Sequence, residues 1–204
     1  MNNSVDWDNW KPTKEAAVCF IQHEEEMLFI EVKNRRGIDG VVEYEDQELF
    51  LEPVGGKPEK GESLLDTIVR EIEEEINTKV KTIKQVGSEY AHFTNGFSIT
   101  LHIFFANGLI SEPQETDVAK PHLFPITDIP YHKLWRADEC FLPFIFEDRK
   151  FHSFSVYDGE TNKLLWNRVH GLPDDGISIN DLPAKHRGIL INNLKNMRSS
   201  DYSI

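Results

Sequence analysis

Cysteine is scarce in this chain, with Cys19 and Cys140 the two among 204 residues. That argues against a disulfide framework and suits a reducing compartment. Cys19 stands in an apolar run and Cys140 in a Phe-rich segment, so both are expected as core thiols. Long hydrophobic runs are also missing: no stretch nears the roughly 18 apolar residues of a membrane span, and the opening MNNSVDWDNWKPTKE holds no apolar signal core. The expectation is a cytoplasmic protein with no membrane partner. Basic residues are outnumbered, 22 Lys and Arg against 35 Asp and Glu, for a formal net charge of −13. Such a surface repels phosphate backbones and acidic lipids, which argues against nucleic-acid polymers as partners. Repeats and low-complexity tracts are absent, and the length suits one substantial core with extensions.

What the chain does have is concentrated in GGKPEKGESLLDTIVREIEEEINT, residues 55–78. Ser63 is a good N-cap, Asp66 completes a near capping box, and Leu65, Ile68, Ile72 and Ile76 recur at the spacing of an apolar helix face. The spacing predicts a helix over Ser63–Ile76. Glu71, Glu74 and Glu75 then cluster in its last two turns, where the helix dipole is negative. Each carboxylate there costs about 0.3–1 kcal/mol, so a cation is expected. Arg70, four residues before Glu74, supplies part of it. A hard divalent ion suits the rest, Mg²⁺ above all because it binds through a few carboxylates plus substrate phosphate oxygens. Ahead of the helix, Gly55, Gly56 and Gly61 permit close backbone approach and sharp turns, and Lys57 adds a positive charge. A phosphate fits beside them.

In this register Gly56, Glu62, Arg70, Glu71, Ile72, Glu74 and Glu75 resemble the Nudix box, with unbroken spacing. The chain departs from it at Asn77, where the family has Gly, and at Thr78, where it has an aliphatic residue. Asparagine tolerates the left-handed conformation of a helix C-terminus, so the turn is expected to survive. The resemblance implies an α/β fold: a mixed sheet sandwiched between helices, here over residues 1–170, followed by a C-terminal extension over 171–204.

Elsewhere, Ala16–Gln22 and Met27–Lys33 read as strands joined by an acidic turn, and NRRGIDGVVEYEDQ as a polar loop. Val80–Phe93 and Phe97–Ala106 alternate as a hairpin about Asn95-Gly96, with His92 and His102 as satisfied sheet histidines. A strand at His122–Ile126, a helix at Ala137–Asp148 crossed by Pro143, and a hairpin of Phe151–Tyr157 with Leu164–Val169 follow. Asp181 caps an expected helix to about Arg198, basic in contrast to the body and read as docked on it.

A second resemblance covers the later half. Glu115, Asp117, Pro121, Phe124, Trp135, Asp138, Pro143 and Lys150-Phe151-His152 are similar to the 8-oxo-dGTP diphosphatases of the MutT-homologue branch. It implies that Glu115 is a fourth metal-approaching carboxylate and candidate general base, that Trp135 stacks on a nucleobase, and that Asp138 reads the base edge. The family's adjacent aspartate is Ala137 here, and an asparagine before the glycines is Glu52, so the choice of base is open.

The implied activity is Mg²⁺-dependent hydrolysis of a nucleoside triphosphate to monophosphate and pyrophosphate, with Mn²⁺ as a substitute ion. Glu71, Glu74, Glu75, Glu115 and the Gly55 carbonyl hold the metal, Arg70 orients the glutamates, and Lys57 meets phosphate. The alternatives are hydrolysis of a nucleotide sugar or dinucleoside polyphosphate, and a non-catalytic nucleotide-binding regulator. A monomer is favoured over a homodimer.

Overall fold

The computed structural model describes residues 5–7, 9–33 and 50–172. The polar loop read at residues 34–47 and the C-terminal helix lie outside them.

Among the described residues eight strands form one mixed sheet: β1 (Lys14–His23), β2 (Glu26–Val32), β3 (Val54–Gly56), β4 (Val80–Phe93), β5 (Ser98–Leu109), β6 (Ala119–Pro125), β7 (Phe151–Tyr157) and β8 (Leu164–Gly171). They run in the order β6-β2-β1-β5-β4-β7-β8. The β1/β5 and β4/β7 pairs are parallel and the others antiparallel. One edge of β1 is shared. Its residues Ile21–His23 pair with β2, whereas Ala17–Cys19 pair with β3, which wedges in where β2 diverges. The bridge of Ile30 to Glu52 seals the other side of the wedge. The glycine turn is thereby held at the middle of the sheet. In the β4/β5 ladder the register shifts between Gln85 and Gly87, a β-bulge.

Alternation divides the core in two. Ala17, Cys19, Ile21, Leu28 and Ile30 face one side, where Ile68, Ile72 and Ile76 of helix α1 (Leu64–Ile76) cover them. Each of these isoleucines, fully or almost fully buried, contributes about 1.5–3 kcal/mol. Ala16, Phe20, Met27 and Phe29 face the other side, under Phe141, Leu142 and Ile145 of helix α2 (Asp138–Phe146). Helices thus lie on both faces, as the resemblance implied.

The start of the chain has a structural role that its polar composition concealed. Trp7 and Trp10 close over Tyr90, Phe154 and Trp166 on the β4-β7-β8 part of the sheet. The Trp7 ring meets Phe154 edge-on at 5.4 Å, and Trp10 meets Tyr90 likewise at 5.8 Å.

Two expectations fail for the same reason, a helix face rotated by one position. Leu65 is exposed, because Leu64 takes the inward place one helical turn before Ile68. Cys140 is exposed as well, since Asp138, Phe141 and Leu142 take the inward positions of α2; Cys19 is buried as expected. His92 lies in β4 as read, but its buried Nδ1 has no hydrogen-bond partner among the described residues.

Asn77 ends α1 with φ 49° and ψ 41°, the left-handed conformation expected of it, and its N–H donates to Glu73 O at 3.0 Å. A β-branched residue there is strained by about 1–2 kcal/mol. Asn77→Val is therefore expected to lower unfolding free energy by that amount in urea titrations, with the fold retained.

Candidate active site

The loop before α1 and the helix itself are tied by one side chain. The Arg70 guanidinium grips Glu62 bidentately, Nε to Oε1 at 2.8 Å and Nη2 to Oε2 at 3.1 Å. Its Nη1 donates to Glu71 Oε1 at 2.8 Å and Glu74 Oε2 at 3.0 Å, and Nη2 to the Lys57 carbonyl at 3.3 Å. Such charge-assisted forks are the strong class of hydrogen bond. Arg70, with the Glu59 amide and the Thr67 hydroxyl, holds the Glu62 carboxyl down at about 2.

The glycines are required by contact. A Cβ on Gly55 would enter the Ala17 carbonyl on β1, and one on Gly56 would enter the Glu71 carboxylate. Gly55 N donates to Glu75 Oε2 at 2.9 Å. Among the described residues Glu75 has no arginine partner: burial first, then the charges of Glu71, Glu52 and Glu74, push its carboxyl up to about 8. Burial likewise raises Glu71, against the opposing pull of Arg70. The last turn of α1 holds no basic residue.

As placed, no three histidine, cysteine or acidic side chains among the described residues converge to hold one ion. Glu71 and Glu74 turn to Arg70, and Glu75 to the Gly55 amide. The donor chemistry nevertheless fits a hard divalent cation. The groups are all oxygen donors, mutually repelling and partly desolvated, and the one charge of Arg70 is shared among three carboxylates, Glu62, Glu71 and Glu74. Glu115 sits in the loop whose Thr116 Oγ1 donates to Glu75 O at 3.2 Å. Its own carboxylate meets Lys33 Nζ at 2.8 Å, so the structure brings the loop to the helix end but turns this side chain away.

From Gly55, Gly56 and Lys57 a cavity runs between the sheet and α2 to Trp135 and Asp138. Its walls are apolar, from Val18, Leu101, Ile103 and Phe93 among others. Trp135 stands edge-on to Phe93 at 6.2 Å and to Tyr157 at 5.4 Å, leaving the ring at the cavity wall. Glu52 lines the same cavity. Asp138 is buried, its Oδ2 has no hydrogen-bond partner among the described residues, and burial with the charges of Glu89 and Glu52 raises its carboxyl well above the ordinary range.

Sequence reasoning missed Glu89. It lies in β4 opposite Leu101, 2 % exposed, and lines the cavity near Asp138. Ser155 Oγ donates to Glu89 Oε1 at 2.5 Å, and Tyr157 hydrogen-bonds it too. Burial nonetheless pushes it up to about 7. The one available signal was a lone glutamate within an otherwise half-apolar strand.

A NUDIX domain model matches residues 12–145. The chain belongs to the Nudix family. The oxidized purine nucleoside triphosphate hydrolase of Mus musculus is 32% identical over 109 residues, covering 52% of this chain and 70% of that protein. The Danio rerio protein of the same name is 29% identical over 106 residues, covering 52% and 68%. Among solved structures, the MutT protein from Bacillus halodurans shares the fold with a TM-score of 0.62 at 22% identity, over 76% of this chain and 97% of that one. This Nudix hydrolase has no helix among its described residues long and apolar enough to cross a membrane.

Two outcomes follow from this geometry. Gly56→Ala is expected to displace the Glu71 carboxylate and cost about 1–3 kcal/mol by overpacking, read as a lower denaturation midpoint. For pH, Glu89 binds its proton more tightly when folded than unfolded, so the unfolded state holds fewer protons between the ordinary carboxylate range and about 7. Stability therefore falls as pH rises through that window, with Glu75 and Asp138 acting in the same direction. Urea midpoints should be higher at about pH 5.5 than at about pH 7.5, and Glu89→Gln should flatten part of the difference.

Proposed function

We propose that this Nudix hydrolase cleaves a nucleoside triphosphate to a nucleoside monophosphate and pyrophosphate, with Mg²⁺ as cofactor and Mn²⁺ as a substitute, in the manner of an 8-oxo-dGTP diphosphatase that cleanses the nucleotide pool. One observation carries the reading. The glycine turn, against which the Glu71 and Glu75 carboxylates rest, opens into an apolar cavity that ends in an aromatic ring and buried acids. That is the shape of a phosphate end and a base end.

In this reading Glu71, Glu74, Glu75, Glu115 and the Gly55 carbonyl hold the metal. A divalent ion there supplies positive charge against the phosphate oxygens and acidifies water. Arg70 fixes the directions of Glu71 and Glu74 through bonds of 2.8 and 3.0 Å. Lys57, exposed at the cavity mouth, meets phosphate charge as the chain leaves the glycine turn. Glu115 takes the proton of the attacking water, carried by the loop that Thr116 fastens to α1. At the far end Trp135 stacks on the base, a contact commonly worth about 1–3 kcal/mol. Asp138 and Glu52 bond its edge. The names of the mouse and zebrafish relatives support an oxidised purine as the base. The enzyme works as a monomer in the cytoplasm on a small nucleotide.

A panel of canonical and oxidised nucleoside triphosphates, nucleotide sugars and dinucleoside polyphosphates tests this directly, scoring pyrophosphate against phosphate release. Pyrophosphate from a triphosphate is the expected product, abolished by a chelator and restored by Mg²⁺. Turnover of the nucleotide sugars or dinucleotides alone would overturn the assignment. Glu75→Gln should lower kcat by about 10²–10⁴-fold with an unchanged circular dichroism spectrum. A near-normal rate would remove Glu75 from the machinery.

A further inference from the structure

The base end of the cavity holds an acid that the reading above leaves without a task. Glu89 comes from β4, Asp138 from the first turn of α2, and both are buried at the same apolar slot. Burying one carboxyl is costly, and burying two side by side is worse unless each is hydrogen-bonded or meets an outside partner. Asp138 Oδ2 has no hydrogen-bond partner among the described residues. Glu89 is half supplied. An ionised carboxylate offers about four acceptor positions, and Ser155 and Tyr157 take two.

The supply is directional. Asn167 Nδ2 donates to Ser155 Oγ at 2.9 Å, so the single hydroxyl hydrogen of Ser155 is left for Glu89. Tyr157, which also bonds Glu89, is itself hydrogen-bonded by the backbone of Ala137. The glutamate is thus held from behind by a buried chain of donors, at the place beside Asp138 where Ala137 brings no carboxyl of its own. A merely structural carboxyl has no need to line the slot.

We infer that Glu89 is a specificity-determining residue, supplying with Asp138 the pair of carboxyl groups that reads the base, and that the pair selects a purine bearing an exocyclic amino group. The inference rests on the nucleotide reading above. In a slot walled by Val18, Phe93, Leu101 and Ile103, water is displaced on binding, and the acceptor oxygen that each acid keeps whether or not it holds a proton must be met by N–H donors of the occupant. An amino group beside a ring nitrogen offers such donors on one edge. A base without it leaves a buried acid unmatched and is rejected. Glu52 lies on the same wall and adds to the demand for donors.

The test separates the base end from the phosphate chemistry. Guanosine and inosine monophosphates differ by one amino group, as do adenosine and purine-riboside monophosphates. Calorimetric titration of each into the metal-free protein is expected to favour the amino-bearing member of at least one pair by about 10- to 100-fold, the scale of a hydrogen bond to a charged group. Glu89→Gln should bring that ratio close to one. Glu89→Asp, which keeps the charge but withdraws it by one methylene, should reduce it and serves if the glutamine variant fails to fold. Ratios of kcat/KM for the matching triphosphates should move in parallel. An unchanged ratio in whichever variant folds, or no preference in the wild type, overturns the role of Glu89 even if triphosphates are cleaved. A Glu89-dependent preference without triphosphate cleavage would instead overturn the proposed reaction and leave this inference standing.

Discussion

The site depends on the Arg70 guanidinium. Four groups from two places, Glu62 and the Lys57 carbonyl in the loop and Glu71 and Glu74 on the helix, converge on one planar fork. A lysine has the charge but not the geometry, since it offers no rigid pair of parallel donors. Without the fork, the loop would lose its seat on α1 and Glu71 its place against Gly56. The helix end would then carry its carboxylates against its own dipole with nothing to offset them. Fold and chemistry meet in this residue: what keeps the loop on the helix also aims the acids.

The rest of the architecture serves to bring two unlike environments to one cavity. At β3 the chain lies so close to β1 that only glycine fits at position 55, which sets polar backbone beside the helix acids. On the opposite side of the slot, α2 and the even-numbered residues of β1 supply an apolar lining. Charge is thereby confined to the two ends. Exposed groups at the mouth are screened by water, whereas Glu89 and Asp138 are not, and their proton affinities rise accordingly.

Much of this was legible in the sequence where local rules decide. Ser63 and Asp66 form the capping box, with Ser63 Oγ accepting from Asp66 N at 3.2 Å, and Asn77 adopts the left-handed turn. The hairpins followed from alternation and from Asn95-Gly96. Helix faces were less secure: Leu65 and Cys140 sit one position off the buried stripe, because neighbouring residues filled the inward places. Long-range contacts were not legible at all. The tryptophans near the start show no local reason to cover β4 and β7, and no spacing announces that Glu115 would meet Lys33. The roles of Trp135 and Asp138 came from resemblance, and the structure sets both at one cavity.

The bulge between Gln85 and Gly87 decides what the cavity can recognise. Before it, Ile83 and Gln85 pair with Ala106 and Phe104, whose side chains lie under α1; after it, Glu89 pairs with Leu101, whose side chain faces the slot. Had the earlier register continued unbroken past Gln85, Tyr90 would stand opposite Ile99 and point into the slot, and Glu89 would turn to the face that Trp7 and Trp10 cover. The acid at the base end is therefore a product of reading frame as much as of residue choice. One residue left out of the ladder, Val86, thus sets a carboxyl rather than a phenol there, with every side chain of the cavity itself left the same.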